Sequence, residues 1–197
     1  MAPEERRAEI IRAAHRALEA GDPNTVTFEE IAAEAGVSRA LVYSYFGDRG
    51  GLLAAVYQEL LEPLDATFRA ALTAEAPLAE RWRHVVEAAV GFATDSPGGW
   101  HSVGLLAASG HPAVRAARAA RISGLARELE GTPAPEAEVV TGAVIGLLES
   151  AIMNWLDDPT MPAERFTELL TGLVTSGVGY PTGPAVSLVS DATAQPG

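Results

Sequence analysis

The chain has 197 residues, enough for one domain or two small ones, and 48% of them are apolar, ample for a buried core. It contains no cysteine, which excludes disulfides, thiolate metal sites and cysteine nucleophiles. The net charge of −12 speaks against a uniformly basic nucleic-acid binder, but the acidity is unevenly spread: residues 1–57 hold six arginines and nine acidic residues, net −3, and residues 58–197 eight and seventeen, net −9.

Exposed charges are screened within about 8 Å at physiological salt, so Arg6, Arg7, Arg39 and Arg49 can act locally against a negative remainder. All fourteen basic residues are arginine. No basic stretch followed by an apolar one opens the sequence, so no secretory signal is expected and the composition fits a reducing cytoplasm.

The first predicted helix covers residues 5–20, with Ile10, Ile11, Ala14 and Leu18 at helical spacing and Gly21 as its stop. The next begins after Thr27. A threonine cap with Glu30 three residues on is a capping box, and Val26 before the cap and Ile31 beyond it can close a hydrophobic staple. Phe28, Ile31, Ala32 and Ala35 give this short helix one apolar face, while Glu29, Glu30 and Glu34 keep other faces wet. Gly36 ends it by taking the left-handed conformation, and Ser38 caps a second short helix. Two short helices around one glycine make a helix-turn-helix, the motif that presses its second helix into the major groove of DNA.

On that second helix Val42 and Phe46 fall on one side and anchor it, while Ala40, Leu41 and Ser44 lie roughly opposite, with Arg39 and Tyr43 on the flank. Arg39 in the first turn can reach a guanine edge or a phosphate, and Ala40 or Leu41 a thymine methyl. Tyr43, Tyr45 and Arg49 offer the donors that position a protein on phosphates.

The order of residues from Gly36 to Arg49, GVSRALVYSYFGDR, with an apolar helix after it, resembles the tetracycline-repressor (TetR) family of bacterial regulators over roughly residues 6–57. The resemblance implies phosphate contacts at Thr27, Ser38, Tyr45 and Arg49, and recognition-helix positions at Arg39, Ala40, Leu41, Tyr43 and Ser44. Three departures from the family's pattern stand out: Arg49 replaces a usual lysine, Gly50-Gly51 a usual acidic pair, and Leu41 a common threonine. Because a glycine inside a helix costs roughly 1 kcal/mol, the fourth helix is expected to start at or after Gly51.

That fourth helix is predicted over residues 51–74 with Leu53, Val56, Leu60 and Leu61 on its apolar side, and Pro63 should kink or interrupt it. It connects two modules. Further helices are predicted over 78–95, 99–108, 112–130, 135–157 and 162–177, separated by Pro97-Gly98-Gly99, Gly110-His111-Pro112, Thr132-Pro133 and Asp158-Pro159. Nothing alternates like a strand, so the fold class is all-α: a three-helix DNA-binding module over 1–50, a larger helical effector-binding and dimerisation module over 51–179, and a flexible tail over 180–197. The run 139–156 could pass for a membrane span by length, but Glu149 and Asn154 within it point to a deeply buried helix instead.

The last two predicted helices carry more apolar surface than a monomer needs, with Gly142 and Gly146 one turn apart in the first. Packing within one chain is one reading; a four-helix dimer interface is the reading the resemblance favours. A homodimer is expected, since two recognition helices on a twofold axis read two half-sites of a palindromic operator in double-stranded DNA. The resemblance also implies a small-molecule effector cavity, for which Trp100, His101 and Asn154 are candidates among Trp82, Phe92 and Trp155 as ordinary core.

Arg115, Arg118 and Arg121 form a stripe read as a solvated helix face rather than an anion site. The four histidines offer no ligand spacing, so no metal and no cofactor are expected. Ser109 with His111 and Ser102 with His101 are the local nucleophile–base pairings, and neither sits on an elbow or a phosphate loop, so an enzyme is not expected. Two readings of function remain: a ligand-responsive repressor, and a helical homodimer that sequesters a small molecule or a protein, with vestigial DNA binding.

Overall fold

The computed structural model describes residues 2–20, 26–129 and 134–178. Every regular element among them is a helix: α1 (Pro3–Ala20), α2 (Phe28–Glu34), α3 (Arg39–Phe46), α4 (Arg49–Leu72), α5 (Leu78–Asp95), α6 (Pro97–Ala108), α7 (Pro112–Ala126), α8 (Ala134–Asp157) and α9 (Ala163–Val178). The all-helical class read from periodicity is therefore the observed one. The proposed stop at Gly21, the breaker Thr132-Pro133 and the tail over 180–197 lie outside the described residues.

The apolar stripe of α1 is buried as its spacing requires: Ile10, Ile11, Ala14 and Leu18 are each at most 2% exposed. It packs across α2 and onto α4 and α6. Helix α4 is the spine of the molecule, meeting α1 and α3 as well as α5, α6 and α7.

The structure corrects the expected start of α4 and, of the two effects expected of Pro63, the interruption. The helix starts at Arg49 rather than after the glycines, because Asp48 caps it, its carboxylate accepting from the Gly51 backbone at 2.8 Å. A charged cap at the N-terminus satisfies an orphan donor and meets the positive end of the helix dipole, which offsets the glycine cost. Nor does Pro63 interrupt it. The helix runs on to Leu72 with Pro63 on an exposed side, where the lost hydrogen bond can be made up by water.

Gly50 has a packing reason of its own. A Cβ built there would stand 2.1 Å from Cε1 of His111, so no larger residue fits while that ring stays in place. His111 is itself the N-cap of α7, its Nδ1 accepting from Ala113 N at 3.3 Å.

The stretch read as a deeply buried helix also needs correction. Helix α8 is the one among the described residues long and apolar enough to cross a membrane by length and composition, yet only 28% of its apolar window is buried. One face carries Val144, Ile145, Leu148 and Ile152 into the core, packing on α6 and α7. Its other face is left largely uncovered by the described residues. With α9 it leaves a groove of about 240 Å³ lined by Val139, Val140, Ala143, Leu147, Leu173 and Val174.

Candidate nucleic-acid interface and the interior of the helical body

The capping box on α2 is complete: Thr27 Oγ1 accepts from Glu30 N at 3.2 Å, and the Glu30 carboxylate accepts from Thr27 N at 2.8 Å and from its hydroxyl at 2.9 Å. Those bonds from Thr27 hold the Glu30 carboxyl below the usual carboxylate range. Val26 and Ile31 are both buried, as a staple requires. Gly36 takes φ +64° in the turn, and Ser38 Oγ caps α3 by accepting from Leu41 N at 3.2 Å.

Val42 is fully buried and Phe46 packs against the same core, so α3 is anchored on the side that its spacing assigns. The opposite surface is open. Ser38, Arg39, Ala40, Tyr43 and Ser44 are exposed, and Leu41 and Tyr45 are half-buried. Arg49 is half-buried in the first turn of α4, and Arg7 lies over the Phe46 ring at 5.6 Å.

Several of these groups are already engaged. The Thr27 hydroxyl belongs to the capping box, and Ser44 Oγ donates to Leu41 O at 2.7 Å. The Arg39 guanidinium pairs with Glu29 on α2, donates to the Tyr43 hydroxyl at 3.1 Å and lies over the Tyr43 ring at 5.3 Å. Tyr43 in turn meets Phe28 edge-on, with ring centroids 4.5 Å apart. The sequence placed Arg39 and Tyr43 on one flank; the involvement of Glu29 is visible only once α2 and α3 are docked.

Inside the body, the arginine stripe on α7 is not a solvated face. Arg115 is exposed, but Arg121 donates to Asp65 at 2.7 Å with its side chain 8% exposed, and Arg118 forks onto Glu149 at 2.7 and 3.1 Å. Partners on α4 and α8 turn the stripe inward. Burial pushes the Asp65 carboxyl up despite Arg121 beside it, and burial pushes the Tyr57 hydroxyl up to about 12. The hydrogen bond to Glu149 holds Arg118 above its ordinary value.

This network borders a small cavity of about 10 Å³, room for one water, walled by Leu61, Phe68, Trp100, Val103, Ile145 and Leu148 with Arg121 and Glu149. Of the three candidate ligand residues, Trp100 lines it. His101 points elsewhere, held by Asp157 at 2.8 Å, and Asn154 is exposed. The nucleophile–base pairings do not form either: Ser109 Oγ donates to Leu106 O at 2.6 Å, while the His101 ring meets Asp157 and the carbonyl of Pro97.

Residues 10–56 match the family described as bacterial regulatory proteins, tetR family. The HTH-type transcriptional regulator BetI of Burkholderia mallei is 44% identical over 86 residues, 42% of this chain and 43% of that protein, and BetI of Burkholderia cenocepacia is 41% identical over 85 residues. The chain thus spans less than half the length of these curated relatives. A tetR-family transcriptional regulator from Streptomyces coelicolor shares the fold over 90% of each chain, with a TM-score of 0.62 and 26% identity. The regulator FadR of Bacillus subtilis, solved in complex with stearoyl-CoA, shares the fold at 16% identity and a TM-score of 0.64 over 86% of this chain and 98% of that one. Residues 10–56 thus carry the motif of the tetR family of bacterial regulatory proteins, and the helical body behind it shares the fold of solved tetR-family regulators.

Proposed function

We propose that the chain is a DNA-binding transcriptional regulator, a homodimer that represses from a palindromic operator and is released from it by a small-molecule effector. The observation that carries this reading is the open outer surface of α3, with Arg39, Ala40, Tyr43 and Ser44 exposed on a helix whose other side, at Val42, is fully buried. Arg39, Ala40, Leu41, Tyr43 and Ser44 would face base edges; Thr27, Ser38, Tyr45 and Arg49 would set register on phosphates.

The reading divides the chain near residue 50 into a reading module and an effector and dimerisation module. The unpartnered apolar face of α8 and α9 supports a second copy of the chain as its cover, completing a four-helix bundle. The interior cavity is too small for an effector as it stands. Occupying it would part α4 from α7 and α8, and a ligand that binds only the parted arrangement shifts the spacing of the two α3 helices by its differential affinity.

Replacing Arg39 and Tyr43 together by alanine tests the reading. Loss of binding to the DNA flanking the coding region, with the dimer intact by sedimentation, is expected; an unchanged footprint would sink it.

A further inference from the structure

Glu29 is an acid on the surface that the proposed function turns toward DNA. Its carboxylate meets Nη1 of Arg39, whose Nη2 donates to the Tyr43 hydroxyl at 3.1 Å, and the Tyr43 ring is braced on buried Phe28. The Glu29 and Arg39 side chains are 56% and 55% exposed, and a surface pair in that setting contributes little to stability. Stability therefore does not account for a carboxylate facing a polyanion, where it repels every phosphate that approaches Arg39.

Two consequences follow from the geometry. Seen from a phosphate, the guanidinium is neutralised by its partner. Seen from a base edge, it still has donors: of five N–H groups one is used on Glu29 and one on Tyr43, leaving Nε–H and one hydrogen on each Nη, enough for a bidentate contact to O6 and N7 of guanine.

Resting on the reading of α3 as the DNA-facing helix, we propose that Glu29 is a specificity-determining residue, one that holds Arg39 for a guanine edge and denies it to the phosphate backbone. Such a residue weakens binding to all DNA and sharpens the choice among sequences. It acts through Arg39 and touches no base itself.

The test uses the full chain, a duplex selected by the wild-type protein from a randomised pool, and a random duplex of the same length, each titrated with salt. Glu29→Gln should tighten binding to the random duplex and steepen its log K against log salt slope by about 0.9, one added phosphate contact. The selected-to-random affinity ratio should fall about tenfold, within the range of one bidentate base contact. Glu29→Asp, which keeps the charge, should stay near wild type. In an Arg39→Ala background Glu29→Gln should leave the ratio unchanged.

A wild-type ratio and slope in Glu29→Gln would overturn the proposal, as would an equal loss of discrimination with Arg39 already removed. If the wild-type protein selects no sequence at all, the reading of α3 falls and takes the proposal with it, an outcome distinguishable from the first two.

Discussion

At the scale of single residues, the Asp65–Arg121 pair shows how burial decides the sign of a charge interaction. Desolvation raises the Asp65 carboxyl more than Arg121 lowers it, so the folded protein holds a proton there more tightly than the unfolded chain does. The linked contribution to stability is present at low pH and is lost as pH rises through the folded value. A buried pair of this kind costs more to break than it contributes intact. Asp65→Ala alone should destabilise by about 3 kcal/mol, since it takes the hydrogen-bonded partner from a cation that is 8% exposed and leaves it only Glu149 at 3.8 Å, whereas Asp65→Leu with Arg121→Met should lie within about 1 kcal/mol of wild type or above it. Urea unfolding of both variants checks the difference. The caps at Thr27 and Ser38 were legible in the sequence because donor and acceptor lie three residues apart. The inward turn of Arg118 and Arg121 was not: three-residue spacing looks the same on a wet face and a dry one, and the partners lie 31 and 56 positions away.

Among the elements, α4 separates local from distant causes. Propensity alone says that alanine at Gly50 should stabilise the helix by about 1 kcal/mol. Packing says the opposite, because the added methyl would meet a His111 ring that cannot swing away without giving up its cap on Ala113. Gly50→Ala is therefore expected to lose about 1–3 kcal/mol, and adding His111→Ala should recover all but the roughly 1 kcal/mol of the lost cap. Denaturant midpoints for the single and double variants give the answer; a stabilised Gly50→Ala would refute the packing account. The same contact leaves no room at position 50 for the acidic residue that the resemblance to tetR regulators would place there. Periodicity and caps locate each helix to within a few residues, and the start of α4 escapes them because it depends on the Asp48 cap and on a histidine sixty-one positions beyond Gly50.

For the molecule as a whole, the decisive quantity is the apolar surface that the described residues leave uncovered. Val139 is 72% exposed, Leu173 55% and Leu169 42%, all on α8 or α9. A contiguous apolar patch of this kind marks an association site. Leu173→Glu is expected to shift the sedimenting species from the mass of two chains to that of one without loss of helix by circular dichroism, and to abolish operator binding at concentrations where wild type binds. Persistent dimers in that variant would move the interface elsewhere. The excess of apolar residues was visible in the sequence, but periodicity cannot say which of two apolar faces finds its cover at home.

Pro63 offers no amide hydrogen, so the carbonyl of Glu59, one turn earlier on the wet side of α4, loses its helical donor and faces solvent. A missing rung makes this the point at which the helix bends at least cost. On the proposed reading of the body as an effector module, a displacement there that bends α4 at Pro63 would reach Asp48 as a change of tilt, the kind of motion that turns a helix out of a groove.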